Sequence, residues 1–282
     1  EGGQVQVEVE QEGVQLVSGR SSFNLRTLPV DEYPKFEEPG GEAVTLDAGS
    51  FSAALEQVVK AASVDDARPI LTGVLLGAEV DGLRLVATDS YRMAVRDLPG
   101  IEVLGRDQTV LVPSRALDAV GRLLTDATSL SIQLGERDAG FTIDDVRIVT
   151  RLIEGEFPNY RGLIPEDHPN QLTVNREDLL AGVQRVRLLA RDTTPIRMVM
   201  SSDNLELVAI AQDVGQAQES IDATYSGNDL TVAFNPEYLI DGIEVSNGEE
   251  VRLETVDALK PAILRGVEDD TFLYLLMPVR VS

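Results

Sequence analysis

Two long segments of this 282-residue chain resemble each other, and this internal repeat constrains the fold more than any other feature of the sequence. The segment FNLRTLPVDEYPKF begins at Phe23, and RIVTRLIEGEFPNY begins at Arg147. Aligned without gaps, the two segments bring Pro34 opposite Pro158. A repeat spacing on the order of 120 residues is the length of a domain and not of a short solenoid repeat.

The start of each repeated module is also similar. VTLDAGSFSAAL from Val44 resembles LTVNREDLLAGV from Leu172, and linkers with Pro and acidic residues, EEPGGE and PEDHPN, separate the modules. We therefore expect the C-terminal remnant of a first domain at 1–39, followed by two whole domains at 42–166 and 170–282. Because the chain opens with Glu and with a module tail, we expect that most of the first domain has been trimmed or lost.

Short strand-like runs alternate with turn sequences along most of the chain. Turns such as VDG and SGN carry the Gly, Asp and Asn that hairpins need. Helices are fewer, and we place them near 48–62, 113–125, 175–191 and 236–245. Each module then has the order strand, helix, strands, helix, strands, which predicts an α+β fold with mostly antiparallel sheets.

The formal charge of −24, from 24 basic and 48 acidic residues, bears on the possible partners. Phosphate binding needs a positive surface, so the total argues against nucleic acid. The alternative is an uneven distribution, with basic residues concentrated where a polyanion passes. The chain has no Cys, which excludes disulfides and thiolate metal sites, and no run of about 18 apolar residues that would span a membrane.

Three of the four predicted helices carry basic residues on or near their outward faces. At about 100° per residue, Arg115 and Arg122 share the face opposite the apolar stripe of their helix. Further cations are Lys60 on the first helix, Arg68 close behind it, and Arg185, Arg187 and Arg191 in the second half of the third helix. Two interpretations remain open, a wall for a polyanion or ordinary solvated side chains. The fourth helix turns three carboxylates outward, so the basic wall weakens there.

The segment VATDSYRMAV, residues 86–95, interrupts a strand-like run with a group of polar and aromatic residues. The side chains from Thr88 to Arg92 are typical of a β-bulge or a strand end, where they satisfy local backbone groups.

Patterns for catalysis are weak. His168 is the only histidine, so a metal site or a Ser-His-Asp triad lacks partners. The adjacent acidic pairs lack the alternating spacing of a calcium loop, and the chain has no P-loop and no dinucleotide-binding fingerprint. These acidic pairs are Asp65–Asp66, Asp144–Asp145 and Asp269–Asp270. A metal-assisted hydrolase that uses the acidic clusters and an acidic β-rich scaffold or adhesion module remain the alternative functions.

Six segments, in order along the chain, resemble the bacterial DNA polymerase III β subunits, the sliding clamp family. They are SGRSSFNLRTLPVDEYP (18–34), VATDSYRMAV (86–95), VLVPSRAL (110–117), TRLIEGEFPNYRGLIP (150–165), FNPEYLIDGI (234–243) and YLLMPVRV (274–281). The resemblance implies repeated clamp modules, with antiparallel sheets outside and two helices per module lining a ring around duplex DNA. It implies a homodimer, whose closure depends on the first domain being present.

The resemblance also implies a non-enzymatic, cytoplasmic processivity factor without a cofactor or a membrane. Its partners would be double-stranded DNA and, through short peptide motifs, the replicative polymerase, the clamp loader and repair proteins. A ring that encloses DNA needs only loose phosphate contacts, so a large negative charge is compatible with this function. The residues that would face DNA are Lys60, Arg68, Arg115, Arg122, Arg185 and Arg191.

In this family, a pocket between the second and third domains captures a short, partly hydrophobic peptide. Carried over residue by residue, its lining is Leu71, Thr88, Ser90, Tyr91, Arg92, Met93, Pro158, Gly162, Leu163, Asn235, Tyr238, Leu259, Pro261, Leu275, Met277, Pro278, Val279 and Arg280. Aliphatic members and the adaptable Met side chains would receive apolar anchors of the peptide. Gly162 departs from family members that present a basic side chain at this position.

Overall fold

The computed structural model describes residues 3–10, 13–33, 39–165, 167–190, 194–202 and 204–280 of the chain. The chain divides into two compact units, Glu1–Glu38 and Pro39–Ser282. In the first unit the strands are β1 Gln6–Val9, β2 Gly13–Ser18 and β3 Ser21–Arg26, followed by a short 3-10 helix, Val30–Glu32. They form an antiparallel sheet in the order β1-β2-β3.

The second unit is built from antiparallel strands and four α-helices. The strands are β4 Ala43–Leu46, β5 Gly73–Glu79, β6 Gly82–Thr88, β7 Arg92–Pro99, β8 Thr109–Pro113, β9 Leu130–Leu134, β10 Asp138–Ile143, β11 Val146–Arg151, β12 Asn170–Asn175, β13 Ile196–Ser201, β14 Asn204–Ala211, β15 Gly215–Ser226, β16 Leu230–Phe234, β17 Glu250–Thr255, β18 Ala262–Gly266 and β19 Phe272–Leu276. The helices are α1 Ala48–Val58, α2 Ser114–Leu124, α3 Arg176–Arg187 and α4 Pro236–Val245. Short 3-10 helices lie at Val59–Ala61, Pro69–Thr72 and Arg161–Leu163.

The strands of the second unit form two sheets. A four-stranded sheet has the order β11-β10-β9-β4, and a twelve-stranded sheet has the order β16-β13-β14-β15-β12-β17-β18-β19-β7-β6-β5-β8. The pair β7 and β19 joins strands from the two repeated halves, with Leu275 opposite Met93. One continuous sheet therefore crosses from one half of the unit to the other, and we call the β7–β19 junction the seam.

Three of the four α-helices begin at a side chain that caps them. Asp47 accepts a hydrogen bond from Ser50 N at 2.7 Å, and Asn175 and Asn235 accept bonds from the first turns of α3 and α4. Such caps satisfy backbone N–H groups that have no partner inside a helix, and each contributes about 1 kcal/mol to stability. The cap of α2 is Pro113, which makes no side-chain cap bond.

The four helices form one layer against the sheets. Helix α1 packs on α2, α3 packs on α4, and α1 also contacts α4, so the row runs α2-α1-α4-α3. Each helix buries an apolar stripe, for example Phe51, Leu55 and Val58 of α1, in a core shared with the inner sheet faces. Fully burying a side chain of this size stabilises the fold by about 1.5–3 kcal/mol. The opposite helix faces are turned to solvent.

The observed elements agree with the sequence-based expectations in class and position. The four helices lie within one or two residues of their predicted starts, and α1 and α3 end about four residues earlier than predicted because their last turns are 3-10 or irregular. The division of Pro39–Ser282 into domains 42–166 and 170–282 stays a prediction. Within the described segments, no helix is long and apolar enough to cross a membrane.

Candidate docking site and helix face

Residues 88–92 form the turn of the hairpin that joins β6 to β7. The Asp89 carboxylate accepts hydrogen bonds from the backbone N–H groups of Tyr91 and Arg92, at 2.8 and 3.0 Å. Thr88 Oγ1 accepts a bond from Ser90 N at 3.1 Å and donates to the Arg92 carbonyl at 2.7 Å. Ser90 has a φ of 82°, a positive value of the kind that tight hairpin turns require. The polar side chains do satisfy local backbone groups, at a strand end and not in a bulge.

This turn lies at the seam. Just beyond the last β7–β19 pair, Met277 N donates a hydrogen bond to the Tyr91 carbonyl at 2.9 Å. The Tyr91 ring stacks on Tyr238 of α4, with ring centroids 6.5 Å apart and an interplanar angle of 23°. The Tyr91 residue is 59% exposed and Met277 is 39% exposed. Two large apolar side chains from distant parts of the chain therefore share one solvent-facing surface.

A small apolar cluster lies under this surface, on the sheet face that points away from the helices. Met93 and Leu275 are buried in it together with Tyr160. The Tyr160 carbonyl accepts a hydrogen bond from Leu163 N at 3.0 Å, and half of Leu163 is exposed. The segment 157–163 thus packs against the cluster and presents one further apolar side chain to solvent.

Arg92 links the two halves of the unit. Its side chain is 11% exposed, and its guanidinium pairs with Asp89 at 3.1 Å and with Asp241 of α4. It donates to Tyr274 Oη at 3.2 Å and lies 4.5 Å from the centre of the Tyr238 ring. Burial raises the pKa of the Tyr274 hydroxyl, which therefore remains protonated and neutral beside the guanidinium. The guanidinium is therefore already engaged in ion pairs, a hydrogen bond and a ring contact within the chain.

The other residues that the resemblance assigns to the pocket lie on the segments around this group. Asn235 Oδ1 caps α4 by accepting a hydrogen bond from Glu237 N at 2.9 Å. Val279 N donates to the Ala233 carbonyl at 2.7 Å, which brings the C-terminal segment beside Asn235. Leu259 is exposed, whereas Leu71 is buried. Pro158, Gly162, Pro261, Pro278 and Arg280 belong to the same chain segments.

The cations that the resemblance assigns to DNA fall into two groups. The four that lie on the helix layer, all exposed, are Lys60, Arg115, Arg122 and Arg185. Arg68 instead donates to Ser90 Oγ at 3.2 Å and to the Asp89 carbonyl at 3.3 Å, so it lies beside the 88–92 turn. Arg191 lies outside the described residues.

Charge is distributed unevenly between the helix layer and the rest of the chain. The four helices and the adjoining Val59–Ala61 turn contain six basic and seven acidic residues. The 24 basic and 48 acidic residues of the whole chain leave 18 and 41 for the remainder. The acidic excess therefore lies almost entirely outside the helix layer, as the interpretation of an uneven distribution requires.

Comparison with known proteins gives the family. A family model of the DNA polymerase III beta subunit central domain matches residues 45–159, and the model of its C-terminal domain matches residues 161–280. The chain belongs to the β sliding clamp family. The beta sliding clamp of Streptomyces coelicolor is 35% identical over 295 residues, which cover 98% of this chain and 77% of the relative.

Solved clamp structures share the fold. The DNA polymerase sliding clamp of Bacillus subtilis superposes with a TM-score of 0.90 and 29% identity, over 99% of this chain and 75% of that one. A sliding clamp of Pseudomonas aeruginosa bound to griselimycin gives a TM-score of 0.87 and 27% identity, over 98% of this chain and 76% of that one. The expected fold class of α+β clamp modules is thereby confirmed.

Membership of the clamp family also decides between the functions considered. This protein is a DNA sliding clamp, a non-catalytic processivity factor, and not a metal-assisted hydrolase or an acidic scaffold module. Among the residues that the structure describes, no group of three or more His, Asp or Glu side chains is placed to hold a metal ion.

One participant of the clamp's seam was not identified from the sequence. Asp241 pairs with Arg92 and also with Lys60, whose Nζ lies 3.6 Å from Asp241 Oδ1. The sequence contained a signal for the Lys60 pair only, because α4 turns its carboxylates outward while the first helix carries Lys60 near its end. Arg92 lies on β7, and no residue pattern indicated its pair with Asp241.

Proposed function

We propose that this clamp encircles duplex DNA with its helix layer turned to the duplex, in a ring closed with a second copy of the subunit. The near balance of charge on the helix layer supports this orientation, because the rest of the chain carries the acidic excess and would repel phosphates more strongly. Salt screens charges over about 8–10 Å, so acidic residues on the far side of the sheets weaken the inner cations little. Because such a clamp acts on chromosomal DNA, we also propose that it is located in the cytoplasm.

We further propose that the surface at the seam is the docking site for partner peptides. The observation that carries this proposal is the Met277 N to Tyr91 O hydrogen bond of 2.9 Å, because it joins two family motifs from different modules beside exposed apolar side chains. Exposed Leu163 and Leu259 extend the apolar surface, and exposed Tyr91, an aromatic side chain with a polar hydroxyl tip, suits both apolar and polar groups of a peptide. The relative solved with griselimycin supports ligand binding by a clamp of this family.

The partners of this site would be the replicative polymerase, the clamp loader and repair proteins, each through a short segment with aliphatic or aromatic anchors. Thr88, Ser90 and Asn235 would act mainly by shaping the turn and the α4 start, since their oxygens already accept backbone hydrogen bonds or bond to Arg68. An adaptable Met at the centre suits a site with several partners.

Fluorescence polarisation with a labelled clamp-binding peptide of the polymerase tests the docking site. Met277→Ala should weaken binding about tenfold, because the lost apolar contact is worth about 1–2 kcal/mol. Ile210→Ala, at an exposed apolar position of β14, is the matched control and should leave the affinity unchanged. Equal affinity of the Met277 variant and the wild-type protein would reject the site.

A further inference from the structure

The exposed cations of helix α2 are engaged with carboxylates of the same chain. Arg122 pairs with Asp118, one turn earlier on α2, and both side chains point to solvent. Arg115 Nη2 lies 3.5 Å from Asp66 Oδ1, and the two side chains are 83% and 81% exposed. Neither pair is needed to compensate a buried charge, so burial does not explain why the carboxylates are there.

The same arrangement recurs along the helix layer. Lys60 Nζ lies 3.3 Å from Glu244 Oε2, on the neighbouring helix α4. Arg185 Nε donates to both carboxylate oxygens of Glu219, at 3.1 and 2.9 Å. The hydrogen bond to Glu219 raises the pKa of Arg185, and the same bond lowers the pKa of Glu219, so both groups carry full charge at neutral pH. All four helix-layer cations assigned to DNA therefore have a carboxylate within ion-pair distance.

Exposed ion pairs are weak enough to be exchanged. Pairs of this kind contribute little to stability, so a phosphate oxygen can displace the carboxylate at little cost in energy. Yet while the carboxylate is in place, the cation carries a compensated charge and releases fewer counterions from DNA on contact. Each phosphate that is neutralised normally contributes about 0.9 to the slope of log affinity against log salt concentration.

We propose that Asp118 and Asp66 compete with DNA phosphates for Arg122 and Arg115. This competition keeps the affinity of the clamp for the duplex low. This inference rests on the proposed orientation of the helix layer toward DNA and adds to it the residues that set the strength of contact. A ring that encloses DNA does not need affinity to stay bound, and tight phosphate contacts would slow its movement along the duplex. The carboxylates lower the energy difference between successive positions on the DNA.

The test measures binding of a labelled 30-base-pair duplex by fluorescence anisotropy between about 20 and 200 mM salt, where the electrostatic contribution is steepest. Asp118→Asn should raise the affinity about three- to tenfold at the low-salt end, and the salt slope should steepen by about 0.9, equivalent to one freed contact. Asp66→Asn should act in the same direction. The control is Asp81→Asn, which makes the same charge change in the exposed β5–β6 turn of the sheet layer.

A double-mutant cycle separates local competition from overall charge. Arg122→Gln should lower the wild-type affinity less than twofold, but it should remove most of the gain in the Asp118→Asn background. If Asp81→Asn strengthens binding as much as Asp118→Asn, the gain reflects net charge and the competition is refuted. If Arg122→Gln weakens wild-type binding strongly and Asp118→Asn adds nothing, the orientation stands and the competition is again refuted. If none of these variants changes DNA binding, the proposed orientation itself is wrong.

Discussion

Arg92→Met is the substitution that tests most directly how the seam is held together. Met keeps most of the apolar stem of the side chain and removes the guanidinium. Asp89 then loses its cation, and Asp241 keeps only the exposed Lys60, whose Nζ lies 3.6 Å away, although the two carboxylate side chains are only 11% and 27% exposed. Removing one partner of a buried ion pair typically costs about 3–5 kcal/mol, because the remaining charge is left uncompensated. Since Asp89 keeps its two backbone donors, we expect about 3 kcal/mol, the lower end of that range.

Two further variants make the expectation specific. Asp241→Asn, combined with Arg92→Met, should recover about 1–2 kcal/mol, because it neutralises one of the stranded carboxylates. Arg84→Met removes an ion pair that lies within one half of the unit, where Arg84 Nε is 2.6 Å from Asp97 Oδ1. That pair is more exposed than the seam pair, at 21% and 35% for the two side chains, so its loss should cost less than that of the Arg92 guanidinium.

The measurement is the free energy of unfolding in urea, followed by hydrogen exchange at the β7–β19 junction. The amides of β7 and β19 should lose protection in Arg92→Met and keep it in Arg84→Met. A cost below about 1 kcal/mol for Arg92→Met would refute the reasoning, since it falls within the range of an ordinary exposed pair. Additive effects of Arg92→Met and Asp241→Asn would refute it as well, because stranded charge predicts compensation.

Two other predictions concern the turn and the acid stability of the seam. Ser90→Val should lower the free energy of unfolding by about 1–3 kcal/mol, because a β-branched residue is strained at the φ of 82°. Ser90→Gly should change this free energy by less than about 1 kcal/mol. Urea titration of both variants measures the two effects. Burial raises the pKa of Asp269, but hydrogen bonds from Thr271 and Asn247 and the charge of Arg96 outweigh it, and the net pKa is lowered. The contribution of Asp269 to stability is therefore present above its unfolded pKa of 3.8 and is lost as the pH falls through its pKa in the folded protein. In the wild-type protein the urea midpoint should fall as the pH drops below about 5, and in Asp269→Asn this fall should be smaller.

Most of the local structure could be predicted because local signals decide it. The capping side chains of Asp47, Asn175 and Asn235 mark the starts of three helices, and these residues do cap them. The hairpin at 88–92 was harder to predict, because Ser is an uncommon residue at positive φ and the usual Gly signal is missing. A stretch of polar residues between two strand-like runs is equally typical of a bulge.

Contacts across long sequence separations were the part that residue patterns alone could not supply. Nothing local to Arg92 indicates that Asp241, 149 positions away, would take up its guanidinium. The resemblance placed Arg92 in the pocket lining by position, but position does not specify which way a long side chain extends. Ion pairs between modules depend on the relative placement of whole elements, and that placement is set by the β7–β19 pairing and the packing of α4.

If the seam is the docking surface, as proposed above, two properties of the clamp are coupled. A peptide that binds only when Tyr91 and Met277 are adjacent stabilises the junction by RT ln(1 + [L]/Kd), and by linkage a loosened junction must lower the peptide affinity by the same free energy. Variants at Met277 and at Arg92 can both weaken peptide binding, but for different reasons. Loss of contact at Met277 should leave hydrogen exchange at β7–β19 unchanged, whereas loss of the guanidinium should increase it. On the proposed docking surface, the guanidinium would act as a positioning group, and exchange measured without peptide distinguishes this role from direct contact.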